Sequence, residues 1–182
     1  LRLRHAIGHV DHRRLVLAEH CDVLAQVVLG LTGLDLGGDG GRDVGHGDVI
    51  EICDAAGEWL ARGTWSSGSQ IRARLFTWQP DEMLDDALLR RRLERAIAAR
   101  QWLGYSSGDA ACRLVYAESD GLPGLIVDRY ADYLSIQLLT QGMAARSETI
   151  VGLLAELAGP LFMYERGAPE MREKEGLPPG EG

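Results

Sequence analysis

Three closely set arginines, Arg62, Arg72 and Arg74, with the Ser69 hydroxyl and the Gln70 amide between them, are the residues of this chain best suited to gripping another molecule. A guanidinium is a planar fork of donors that matches phosphate oxygens, and hydroxyl and amide groups reach the 2′-hydroxyl that separates RNA from DNA. Alternation along Gln70 to Trp78 sends Arg72 and Arg74 to one side and Ile71, Ala73 and Leu75 to the other, so the donors share an edge. An exposed polar strand face that touches nothing has the same pattern, and the residues alone leave both readings open. A net charge of −8 excludes a broad basic surface, because phosphate neutralisation supplies most non-specific affinity for nucleic acid. Any grip must be local.

The other reactive groups promise less. Cys21, Cys53 and Cys112 are odd in number and widely spaced, which fits neither a disulfide framework nor a paired zinc site. Cys53 and Cys112 fall inside apolar strand patterns, where a thiol packs as a small hydrophobe rather than attacking as a thiolate. His5, His9 and His12 would share one face of a helix, but no cap or supporting carboxylate accompanies them, so the plainer reading is a solvated segment without a metal. Arg90, Arg91, Arg92 and Arg95 lie near Asp81, Glu82, Asp85, Asp86 and Glu94, the pattern of an ion-paired, solvated helix face.

The elements that must position these groups begin at Gly47. Asp48 to Cys53, Glu58 to Trp65 and Gln70 to Trp78 read as an antiparallel meander turned at Asp54-Ala-Ala-Gly57 and Ser66-Ser-Gly-Ser69. Pro80, Asp81 and Glu82 open a helix carrying Leu84, Leu88, Leu89, Leu93, Ala96 and Ile97 to about Trp102. Strands follow at Cys112 to Glu118, Leu125 to Val127 and Tyr133 to Leu139, the first two joined by Asp120-Gly-Leu-Pro-Gly124, whose glycines supply positive φ angles. A second helix spans about Met143 to Leu157, and a short strand Leu161 to Tyr164 comes last. The fold class is α+β: a small β-meander followed by an α/β unit of helix, three strands, helix and strand. Upstream, the five histidines and the Gly- and Asp-rich stretch Gly30 to Gly47 have the composition of a poorly ordered lead-in, with a helix predicted from about His12 to Leu29. Downstream, Glu165 to Gly182 has linker composition. No stretch reaches the roughly 20 apolar residues that cross a bilayer, and no secretory signal is read at the start, which predicts a cytoplasmic protein that contacts no membrane.

Three stretches resemble one family. They are Gly47-Asp48-Val49 through Leu60-Ala-Arg-Gly63 to Ser69-Gln-Ile-Arg-Ala-Arg74; Arg113-Leu-Val-Tyr-Ala-Glu-Ser-Asp-Gly-Leu-Pro-Gly-Leu-Ile-Val-Asp-Arg-Tyr130; and Tyr164-Glu-Arg166 with Arg172 and Glu175-Gly-Leu177. Together they look like the large-subunit ribosomal RNA cytosine-5 methyltransferases of the methyltransferase I type, which join a PUA RNA-binding domain, a middle α/β domain and a Rossmann-like catalytic domain. The resemblance implies a partial PUA-like unit at 47–77, a middle domain at 78–165 and a linker at 166–182 toward a catalytic domain, with 1–46 unassigned. It implies RNA, above all ribosomal RNA, as partner, held by Arg62, Ser69, Gln70, Arg72 and Arg74. It also implies S-adenosylmethionine as the cofactor of the whole enzyme, though no cofactor is expected on these 182 residues, since no Gly-rich loop between strand and helix is read and no thiol is suitably placed. Two departures stand out: Val10 and Asp11 follow Gly8-His9 where the family has Pro-Trp, and a Rossmann-like domain is not expected within these residues. The competing expectation is a stand-alone, non-catalytic RNA-binding or interaction protein.

Overall fold

The computed structural model describes residues 3–5, 13–16, 44–53, 58–105 and 111–179, and they form two sheets. The predicted meander is present as β3 (Val49–Cys53), β4 (Trp59–Trp65) and β5 (Ala73–Thr77), paired antiparallel. Ile50, Ile52, Ala61, Trp65 and Ala73 close its core. Two further strands, β1 (Leu3–His5) and β2 (Arg13–Val16), extend the sheet beyond β3, with β2 running parallel to it. This corrects the upstream reading at two points. Arg13–Val16 is a strand where a helix was predicted from His12 to Leu29, the rest of which lies outside the described residues. His5 stands in a strand, so the helical face aligning it with His9 and His12 does not form there. The physical reason is that β3 would otherwise present an open edge of unpaired backbone groups, and pairing them outweighs a weak helical periodicity.

A bulge in the β4–β5 pairing puts Arg62 opposite Thr77 and Gly63 opposite Leu75. The extra residue, Phe76, turns away into the core of the second unit. Gly63 is forced by this geometry, because a Cβ there would stand 2.2 Å from the Arg74 carbonyl oxygen.

Helix α1 (Asp86–Trp102) starts later than Pro80, because the Asp85 side chain caps it by accepting from Leu88 N at 2.9 Å. Leu84, Leu88, Leu89, Leu93, Ala96 and Ile97 are all buried, each contributing about 1.5–3 kcal/mol for its larger side chains. All of these but Ile97 share a core with a sheet ordered β6 (Ala111–Tyr116), β7 (Leu125–Tyr130), β8 (Tyr133–Leu138) and β9 (Phe162–Glu165). The first three strands are antiparallel and β9 joins β8 in parallel. Gly121 and Gly124 take φ of 71° and 85° in the β6–β7 connection, which also contains a single 3₁₀ turn at Ala117–Asp120. The predicted second helix is divided into α2 (Gln141–Ala144) and α3 (Ser147–Ala158). Among the described residues no helix is long and apolar enough to cross a membrane.

The two units meet where α2 lies on β4. A Cβ on Gly142 would stand 2.3 Å from Thr64 Oγ1, so only glycine allows this approach. Arg146 reinforces it by donating to the carbonyls of Gly47 at 3.0 Å and Gly142 at 2.8 Å. The stretch read as a linker folds as well: α4 (Pro169–Lys174) begins with Pro169 in its first turn, and Arg172 and Glu175 are buried. Local composition reads as linker, yet tertiary contacts hold the segment.

Candidate nucleic-acid interface

Arg62 lies inside. It is 3 % exposed, pairs with Glu51 at 3.0 Å, donates to the carbonyls of Pro80 and Glu82, and has its guanidinium 5.8 Å from the centre of the Trp59 ring. The segment following β5 folds back across this face of β4 and takes up the donors that sequence reading gave to RNA.

Ser69 and Arg74 are drawn together, but around a carboxylate of the same chain. Glu175 Oε1 accepts from Ser69 Oγ at 2.7 Å and from Arg74 Nη2 at 2.7 Å. The Glu175 backbone carbonyl accepts from Gln141 Nε2 at 2.8 Å. Arg74 is also 3.5 Å from Glu118. Its charge is therefore neutralised before any phosphate arrives. Glu175 Oε2 is buried with no hydrogen-bond partner in the structure, so the carboxylate depends on Arg74 and Ser69 for its compensation.

Gln70 is exposed and Arg72 half-exposed, and no described carboxylate pairs with Arg72. Of the five residues picked from sequence, these two alone keep side chains free for a ligand. The common edge is thus split: Arg72 precedes β5 in the turn, whereas Arg74 sits within it under the C-terminal segment.

Arg90, Arg91 and Arg92 form the ion pairs expected of the helix arginines, with partners that sequence only partly identified, whereas Arg95 forms none among the described residues. Arg91 and Arg92 both reach Glu82, at 3.0 and 3.5 Å, and Arg90 pairs with Glu156 on α3 at 2.6 Å. The hydrogen bond from Thr77, followed by its arginine neighbours, holds the Glu82 carboxyl below the usual carboxylate range. Sequence reading missed Glu175 and Arg172. The signal was their place in the third family-like stretch, since nothing in local periodicity marks them.

The two described thiols differ in exposure. Cys53 is fully buried, and burial pushes the Cys112 thiol up, opposed by the nearby Arg129 and Arg100. No described group of His, Cys, Asp and Glu could hold a metal ion. Where β8 runs into α2, the Gly142 backbone is closed off by Thr64.

The PUA-like domain family matches residues 35–78, a span that includes β3, β4 and β5. Over 136 residues the chain is 43% identical to ribosomal RNA large subunit methyltransferase I of Yersinia pseudotuberculosis serotype O:1b (strain IP 31758). The proteins of that name from Yersinia pestis bv. Antiqua (strain Angola) and Yersinia pestis match to the same degree. The alignment takes in 75% of this chain and 34% of the relative, so the chain spans about a third of the length of the curated relatives it matches. Among solved structures it shares its fold with a putative SAM-dependent methyltransferase from Streptococcus mutans, at TM-score 0.63 and 16% identity, over 86% of this chain and 44% of the other. It shares it also with a putative methyltransferase complexed with SAH, at TM-score 0.64 and 15% identity, with the same coverage. The chain is thus a relative of the large-subunit ribosomal RNA methyltransferase I proteins, and it carries a PUA-like domain.

Proposed function

We propose that these 182 residues are the cytoplasmic RNA-binding part of an S-adenosylmethionine-dependent methyltransferase that modifies cytosine at carbon 5 in large-subunit ribosomal RNA, and that they transfer no methyl group by themselves. The observation that carries this reading is the 43% identity over three quarters of the chain, which runs well beyond the span matched as PUA-like. The burial of Cys53 and the partial burial of Cys112 support the second clause, because carbon-5 methylation of cytosine proceeds through thiolate attack on a base held in a closed pocket. In this reading Gln70 and Arg72 contact the RNA, while Arg62, Ser69 and Arg74 shape the surface beneath them.

Titration of residues 1–182 with unmodified large-subunit ribosomal RNA tests the proposal. Affinity is expected to fall log-linearly with salt, and Arg72→Ala to lower the slope by roughly 0.7 to 0.9. Incubation with labelled S-adenosylmethionine is expected to leave the RNA unlabelled. Absence of binding, or label transferred above background by this chain alone, overturns the reading.

A further inference from the structure

Where β5 leaves the first sheet, a groove of about 470 Å³ opens between the chain following it and α1. Its floor is apolar, made by Phe76 and Leu88, both almost fully buried. Trp78, at its side, is 56 % exposed, unusual for the largest apolar side chain and without a partner ring among the described residues. A cleft of this size suits one small organic group, because ligand sites run from about 300 to 1,000 Å³.

Charge decides which group. Arg91, Arg92 and Arg95 line the groove against Glu82 and Glu118. Both oxygens of Glu82 face Arg91 and Arg92, and Glu118 is 3.5 Å from Arg74. Arg95 has no carboxylate partner among the described residues. Arg92 is fixed, donating to the carbonyls of Gly121 and Phe76 with its guanidinium 5.9 Å from the Phe76 ring centre. Its guanidinium is pushed down, first by burial and then, against the pull of Glu82, by its neighbours Arg95 and Arg91. Arg91 and Arg95 are exposed and one helical turn apart, so they face the same way. In a chain of net charge −8, this is a local excess of positive charge beside an open aromatic ring. A base offers a flat π-face to such a ring, and its phosphate offers the anion.

We propose that this groove holds one unpaired nucleotide of an RNA strand, its base against Trp78 and its phosphate at Arg95; this rests on the RNA-binding role proposed above. RNA then extends from Gln70 and Arg72 across the junction of the two units, while Arg62 and Arg74 stay occupied by Glu51 and Glu175. A base-paired duplex does not satisfy the site, since its bases are already stacked.

The test is fluorescence anisotropy of residues 1–182 with a labelled single-stranded RNA of about twelve nucleotides. Trp78→Ala is expected to weaken binding between about fivefold and about a hundredfold, whereas Trp78→Phe, which keeps a ring, retains most of it. Arg95→Gln is expected to weaken binding and to lower the salt slope by about 0.7. Uridine monophosphate is expected to compete poorly, because a free nucleotide lacks the flanking contacts. Binding by the parent chain that Trp78→Ala, Trp78→Phe and Arg95→Gln all leave unchanged overturns the groove and leaves the RNA-binding role standing. Competition by uridine monophosphate as strong as by unlabelled strand overturns the assignment to a strand. If the parent chain binds no RNA, the role itself falls, and the groove with it. Should Trp78→Ala lose its cooperative melting transition, Trp78→Phe and Arg95→Gln carry the test.

Discussion

Arg172→Met is expected to lower the melting midpoint of the chain by roughly 6–12 °C, from a destabilisation of about 3 kcal/mol. The Arg172 guanidinium is 7 % exposed by residue and donates to the Leu138 carbonyl at 3.1 Å, to Glu165 at 2.9 Å and to the Pro178 carbonyl at 2.7 Å. It therefore ties the end of β8, the end of β9 and the segment after α4 through one side chain. Methionine fills much of the volume but leaves these acceptors without their donor, and buried acceptors lose more on being orphaned than a solvated pair ever contributes. Arg172→Lys is expected to recover little, because one ammonium cannot reach three acceptors that a planar fork spans. Calorimetry of both variants decides it: a midpoint within about a degree of the parent for Arg172→Met would show that the segment is an ornament on the fold.

Gly63→Ala is expected to abolish cooperative folding or to cost at least 3 kcal/mol, on the order of the largest overpacking effects. The added Cβ meets the Arg74 carbonyl oxygen at 2.2 Å and its carbon at 2.9 Å. Both are backbone atoms of the paired strand, so no rotamer change relieves the clash, and β5 must slide or detach. Detachment also pulls Phe76 out of the shared core. Gly152→Ala is the matched control: it lies within α3 with nothing inside 4 Å of the new atom, and alanine there is expected to stabilise the helix by about 0.5–1 kcal/mol. Circular dichroism melts of the two variants should move in opposite directions, and equal, small shifts would refute the steric argument.

Legibility in the sequence followed how local each signal was. The buried positions of α1 were plain, because Leu88, Leu89, Leu93, Ala96 and Ile97 repeat at the helical period and one face of that helix is covered. The turn at Gly121 and Gly124 was equally plain, since a positive φ is recorded in the residue type itself. Strands β1 and β2 were hidden, because their pairing depends on β3, far along the chain, and Arg13 to Val16 carries no pattern strong enough to stand alone. The candidate site was read least well. Alternation correctly separates Arg74 from Ala73, but it cannot say that Glu175 lies over that face or that the Pro80 to Glu82 segment covers Arg62. A face is exposed only until another part of the chain folds onto it.

Glu175 has one more consequence, in time rather than in space. Its carboxylate is bound by Ser69 across 106 positions of sequence and by Arg74 across 101. On a ribosome adding about 5–20 residues per second, the first sheet is made several seconds before the group that neutralises Arg74 exists. During that interval Arg74 and Ser69 lack the carboxylate that later holds them together. The finished sheet is thus preceded by a nascent one with a different electrostatic surface, and closure waits on the long loop that ends at Glu175.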